Sequence, residues 1–346
     1  MSHQGDSGQR MLLEFRAREA WNQRDYAGAQ KLAEQWAALS LSDGEEEGWW
    51  NASFLAAECL RRQGHMHESR EVAETLEAHR LTRGSAALRA RVLTLRAFAL
   101  QGSGDLTAAV QVARRAVTEL LTEPDHNALA IEAENALIAA LAESGSLEDA
   151  WHECLVLADL LQRDPDNKYA GQSYWAIGNV AFLLKRIPEG VSYHQLAAKT
   201  LSPTNDLDLW ARFNRGSADF RLAAGVIEPE TLECIERAEL ASSIVGGTER
   251  DRVELKLIRA QWLVLTGQFD TAVEQLTTII DQKHLLAVHT AAQAHFLLGQ
   301  ALSARGVDAD AISNLELSEE LFLQSGAEDR ASMATALLQS ITEPQG

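Results

Sequence analysis

Histidine and cysteine are the first residues in this sequence to test for chemistry. His65 and His67 flank Met66 and could donate two imidazoles to a metal ion, but no third ligand is recognisable beside them. His284, His289 and His295 stand five and six positions apart, not the three or four that stacks side chains on one helical face. Cys59, Cys154 and Cys234 form no CxxC pair and no cluster, so they read as packed thiols of a reducing compartment. The phosphate-loop, nucleophile-elbow and dinucleotide-fingerprint patterns are absent. Gly102-Ser103-Gly104-Asp105 is the nearest glycine-rich fragment; it follows a helical stretch rather than a strand and reads as a turn. The run Glu45-Glu46-Glu47 before Trp49-Trp50 reads as a charged loop entering a helix, where carboxylates favour the N-terminal dipole. No catalytic residue, metal or cofactor is therefore expected.

The elements that carry these residues repeat. A Gly-like residue, an apolar residue two on and a small residue three further recur as Arg24/Tyr26/Ala29, Gly64/Met66/Ser69, Gly104/Leu106/Ala109 and Gly145/Leu147/Ala150. The pattern continues as Lys185/Ile187/Gly190, Gly225/Ile227/Glu230, Gly267/Phe269/Ala272 and Gly306/Asp308/Ala311. The last members are separated by 40, 40, 41, 40, 40, 42 and 39 positions. Twelve residues before each lie Ala17, Ala57, Ala97, Ile138, Gly178, Ala218, Ala260 and Gly299, mostly small, as two closely crossing helices require. The flanks are rich in Ala, Leu, Glu, Arg and Gln with apolar residues three and four apart, so each repeat predicts a helical hairpin. Pro124, Pro165 and Pro203 fall between hairpins, Pro188 and Pro229 at second-helix starts and Pro344 at the end, all positions a helical reading tolerates.

These residues resemble the tetratricopeptide-repeat family, with its small residue in mid helix A, its Gly-x-aromatic turn and its Ala early in helix B. The fifth repeat matches best, through Tyr174, Ile177, Gly178, Asn179, Phe182, Ile187 and Gly190. The period of about 40 is longer than the ~34 of the family consensus, and long-period repeats of this kind resemble the sensor halves of bacterial regulators and the peptide-pheromone receptors. The resemblance implies an all-α fold: a right-handed α-solenoid of about eight hairpins over residues 11–326. A polar tail is expected over 1–10, a capping helix over 327–342 and a short tail over 343–346.

In the resembled fold, helix A of each repeat lines a concave groove. Carried onto this sequence, the groove positions give Arg91, Phe98 and Gln101 in the third repeat, Glu132 and Asn135 in the fourth, and Gln172, Trp175, Asn179 and Phe182 in the fifth. The sixth contributes Arg212, Arg215 and Asp219. An Asn or Gln amide both donates and accepts and so suits an extended peptide backbone. Trp175, Phe98 and Phe182 could pocket an apolar side chain, and Arg91, Arg212 and Arg215 could hold a carboxylate.

The 346 residues are 46% hydrophobic, enough for a large core, and carry 31 Lys plus Arg against 50 Asp plus Glu, a net charge of −19. That balance counts against a nucleic-acid backbone as direct partner. The N-terminal MSHQGDSGQR has no apolar signal region and the apolar run from Ala136 to Ala142 is too short to span a bilayer, so a cytoplasmic location without membrane contact is expected. The expected function is a non-enzymatic regulator or adaptor binding a peptide or partner-protein segment in the groove. The alternatives are a scaffold or homodimer using the convex face or cap, and the sensor subunit of a transcriptional regulator whose DNA-binding part lies on another chain.

Overall fold

All eight residues that open the repeating turns have left-handed backbone, from Lys185 at φ 59° to Gly64 at φ 87°. Six are glycine, which adopts this region without steric cost, while Arg24 and Lys185 hold it with a side chain. In seven of the eight turns three residues separate one helix from the next, and in the sixth five do. The amide after the left-handed residue donates back to the carbonyl five earlier, as from Asp105 to Leu100 at 3.0 Å and from Val226 to Arg221 at 2.8 Å. The side chains of Asp25 and Asp105 then cap the next helix by accepting from the Gly28 and Ala108 amides.

The computed structural model describes residues 3–121, 126–246 and 248–342. Pro124, Pro344 and the short C-terminal tail lie outside the described residues. The chain divides into two compact units, Met1–Leu184 and Lys185–Gly346. The N-terminal unit runs α1 (His3–Asn22), α2 (Tyr26–Ser42), α3 (Glu46–Arg62), α4 (Met66–Ala78), the one-turn α5 (Arg80–Arg83), α6 (Ala86–Gly102), α7 (Leu106–Leu120), α8 (Asn127–Glu143), α9 (Leu147–Arg163) and α10 (Ala170–Leu183). The C-terminal unit runs α11 (Ile187–Thr200), α12 (Leu207–Ala223), α13 (Pro229–Val245), α14 (Glu249–Leu265), α15 (Phe269–Asp281), a 3₁₀ turn (Lys283–Leu285), α16 (Val288–Ala304), α17 (Asp308–Gln324) and α18 (Glu328–Thr342).

Within each unit, helices adjacent in sequence pack on one another, and first helices of successive repeats also touch, as α6 does α8 and α12 does α14. Each unit is thus a helical-repeat stack with an all-α core. The small positions sit at the crossings: Ala17, Ala57, Ala218 and Ala260 are wholly buried, and a Cβ on Gly299 would meet Leu315 at 2.6 Å. Among the described residues no helix is long and apolar enough to cross a membrane.

Three sequence expectations change. The residues read as a polar tail continue into α1, which begins at His3, and Arg10 forms an ion pair with Asp43 at the end of α2. The fifth repeat is divided, its first helix closing the N-terminal unit and its second opening the other. In the sixth turn the buried small position is Thr231, not Glu230: α13 starts at Pro229, two residues later than the register of the other turns, and the Thr231 hydroxyl donates to the Val226 carbonyl at 3.0 Å.

Candidate functional site

The N-terminal unit presents a wall made by α3, α6, α8 and α10, side by side. The Arg91 guanidinium on α6 lies over two rings of α3, 4.4 Å from the Phe54 centroid and 5.2 Å from that of Trp50. Trp50 is only 1% exposed and donates its indole N–H to Thr82 Oγ1 at 2.8 Å, so this shelf is fixed from behind. Arg61 lies over Phe98 at 5.0 Å and donates to Glu58 at 3.0 Å. Lys168 stands over the Tyr169 ring at 4.7 Å.

Glu132 on α8 completes this group. Burial, reinforced by Glu58, holds its carboxyl above the ordinary range, against the pull of Lys168, Arg91 and Arg61. Burial likewise lowers Arg91 from the usual arginine value, while Glu132 and Glu58 oppose the shift. Arg91 and Glu132 therefore feel each other through space, yet neither has a hydrogen bond or a contact ion pair among the described residues. Both are partly stripped of water without being paired.

The other groove residues of this unit fare differently. Asn135 spends both amide hydrogens, on the Ile131 carbonyl and on Ser173 Oγ, each at 2.7 Å, so only its oxygen is left to accept. Gln101 donates to Glu143 at 2.6 Å. Gln172 is exposed, and Trp175 and Asn179 are half-buried on α10. Phe182 is a correction: it is 6% exposed and belongs to the core. It follows the buried Gly178 by four residues, one helical turn along the same face, so it points where the crossing helix packs.

In the C-terminal unit the first helices enclose a hollow of about 670 Å³ between α12, α14, α16, the end of α17 and the start of α18. Its wall carries Arg215, Arg250 and Arg330 beside Asp219 and Glu254, with the amides of Gln261 and Gln293 between them. Arg215 lies 3.5 Å from Asp251 and 3.7 Å from Glu254, and Arg250 donates to Glu254 at 2.8 Å. Arg330 instead donates to a neutral group, the Gln293 carbonyl oxygen, at 2.5 Å. Burial raises the Asp219 carboxyl above its ordinary range, with Arg330 and Arg215 pulling it down. A second, more apolar hollow of about 270 Å³ adjoins the first and shares Ala223, Gln261, Gln293, Phe322 and Arg330 with it. Arg212 lies outside the larger hollow and is exposed, paired to Asp208 of its own helix at 3.1 Å.

The three arginines grouped from sequence are thus split: Arg91 in one unit, Arg212 and Arg215 in the other, the latter two already matched by carboxylates. Arg330 escaped sequence reasoning because it lies on the capping helix, to which no repeat register extends. The three cysteines are buried, and burial pushes the Cys59 and Cys154 thiols up to about 12. His65, His67, His284 and His289 are exposed, whereas His295 is buried with its Nδ1 2.8 Å from Asn314 Oδ1. Among the described residues no three His, Cys, Asp or Glu side chains gather as metal ligands would.

No protein-family model and no curated protein matches the sequence. Solved structures do match. A Rap protein complexed with Competence and Sporulation Factor aligns at TM-score 0.56 and 12% identity, over 98% of this chain and 97% of that one. The tetratricopeptide-repeat STAND protein PH0952 from Pyrococcus horikoshii aligns at 0.65 and 13%, over 95% of this chain but 50% of its own. The Cut9–Hcn1 structure aligns at 0.63 and 13%, over 96% of this chain, which spans about 56% of the length it matches. At such identities the likeness speaks for architecture: this chain has the fold of the tetratricopeptide-repeat α-solenoids and resembles the Rap proteins.

Proposed function

We propose that the protein is a non-enzymatic regulator or adaptor that binds a peptide or a partner's segment on the wall of α3, α6, α8 and α10. The observation that carries the reading is Arg91 facing Glu132: a cation and a carboxylate, both partly desolvated and neither directly bonded. Leaving such groups unpaired is costly, and a ligand that offers each a partner recovers that cost. A peptide does so with its own carboxylate or carbonyl for Arg91 and its N–H groups for Glu132. Phe54 and Phe98 hold the arginines flat against the wall and leave aromatic surface beside them for an apolar side chain. Asn135 oxygen and Gln172 add an acceptor and an exposed amide along the same wall. By fold, the Rap protein of plasmid pLS20 is a neighbour whose structure contains the Phr* peptide, at TM-score 0.52 and 13% identity over 88% of this chain and 79% of that one.

The test is capture of synthetic random hexapeptides with amidated C-termini on the immobilised protein, with enrichment read by mass spectrometry. The wild type should enrich a subset, and Arg91→Gln with Glu132→Gln should reduce that enrichment at least tenfold, about 1.4 kcal/mol. Arg212→Gln, outside this wall, should leave it within about twofold, below 0.5 kcal/mol. Equal enrichment by the double variant would move the site off this wall.

A further inference from the structure

The hollow of the C-terminal unit contains a cation with no contact carboxylate among the described residues. Of the three arginines on its wall, Arg215 and Arg250 lie against carboxylates, and among the described residues Arg330 has for partner the oxygen of a neutral amide, Gln293. Asp219 lines the same hollow as Arg330 and is pulled toward its charged form by it, yet no contact ion pair joins them. Between a lone cation and a lone carboxyl there is room for a ligand: about 670 Å³, within the range of small-ligand and peptide-end sites.

Arg330 also borders the adjoining apolar hollow, which is formed in part by Leu222, Phe296 and Met333. The anion seat and the apolar seat therefore meet at one side chain. A ligand that fills both must carry a single negative charge and an apolar group on neighbouring atoms. The last residue of a peptide does this, because its carboxylate and its side chain leave the same Cα. An internal Asp or Glu cannot, since its carboxylate is itself the side chain. A phosphate, at close to two charges, exceeds what one uncompensated arginine beside a carboxyl would balance.

We infer that this hollow binds the free C-terminal end of a peptide whose last residue is apolar. Arg330 takes the terminal carboxylate, the Leu222/Phe296/Met333 hollow takes the last side chain, and Asp219 accepts from a backbone N–H. Gln261 and Gln293, each donor and acceptor, serve the remaining peptide groups. The inference rests on the reading above only in taking a peptide as the ligand; its residues are separate from the α3, α6, α8 and α10 wall.

Two random hexapeptide pools, one with a free C-terminal carboxylate and one amidated, test it on the full chain carrying Arg91→Gln and Glu132→Gln. The free-acid pool should be enriched at least tenfold over the amide pool, with Leu, Ile, Met or Phe dominating the last position. Arg330→Gln should abolish the preference for the free acid while leaving the melting temperature within a degree or two, its side chain being exposed. Ala223→Trp, at an exposed position bordering both hollows, should block capture without touching any charge. Equal enrichment of acid and amide, or a preference that survives Arg330→Gln, overturns the inference and leaves the wall reading standing. If the otherwise wild-type chain enriches neither pool, both readings fall.

Discussion

The wall of the N-terminal unit and the hollow of the C-terminal unit leave an arginine unneutralised in different ways. In the N-terminal unit, Arg91 is laid on Trp50 and Phe54 and left without a contact carboxylate. In the hollow of the C-terminal unit, Arg215 and Arg250 are locked to Asp251 and Glu254, and among the described residues of its wall Arg330 is the arginine without a contact carboxylate. Counting arginines would rank the C-terminal unit as the more basic wall. What matters for recognition is the charge left over after internal pairing, and by that measure the wall of one unit and the hollow of the other each offer an arginine and a carboxyl. An aromatic shelf and a neutral amide are two ways to position a cation without neutralising it.

The largest effect that would break this comparison is loss of the shelf. Trp50→Ala removes a wholly buried indole and its bond to Thr82, and should destabilise the protein by about 3–5 kcal/mol in denaturant unfolding. It should also release Arg91 and weaken peptide capture beyond what the stability loss explains. Unchanged capture by the folded fraction would mean that the shelf does not prepare Arg91.

A second contrast concerns buried ionisable groups. Glu134 on α8 is 3% exposed with one oxygen lacking a partner, and burial, aided by Glu153, raises its carboxyl to about 8. The folded state then holds a proton that the unfolded chain releases near pH 4.5, so stability falls as pH climbs from there to about 8. Glu134→Gln should remove that slope and gain up to about 5 kcal/mol at pH 9 while changing little at pH 4. In the C-terminal unit burial lowers His295 below its usual 6.5, opposed by the Asn314 hydrogen bond. There the unfolded chain binds the extra proton, so stability rises with pH up to about that value. Unfolding at pH 4, 6 and 9 reads both slopes, and the same sign from Glu134 and His295 would defeat the assignment.

The smallest effect concerns what the units share. Arg24 in one and Lys185 in the other hold left-handed turns where the remaining repeats use glycine. Arg24→Gly and Lys185→Gly should each stabilise by about 0.5–1 kcal/mol, the relieved backbone strain less the extra entropy of an unfolded glycine. The gains should match, since this strain is independent of surrounding charge; a gain in only one unit would show that the other turn is held by side-chain contacts.

Much of the architecture was legible because its causes are local. A left-handed turn needs glycine or bears strain, a close crossing needs a small residue, and both recur at fixed intervals from Arg24 to Ala311. The reading slipped at the sixth turn, where α13 starts only at Pro229, two residues late, and the buried position moves to Thr231. The site was legible only as a list of helix positions. Arg91 and Asn135 were placed on the right wall, but nothing in their spacing says that Asn135 has committed both its hydrogens or that Phe182 is turned inward.

By itself the sequence determined the hairpins, their period and the small residues at their crossings, because helix periodicity and backbone sterics act within a few residues. Only the tertiary structure decided which charges remain unpaired. Glu132 approaches Arg91, and Arg330 approaches Asp219, from residues about 40 and 110 positions away, and pairing and desolvation depend on that distance in space rather than on spacing along the chain.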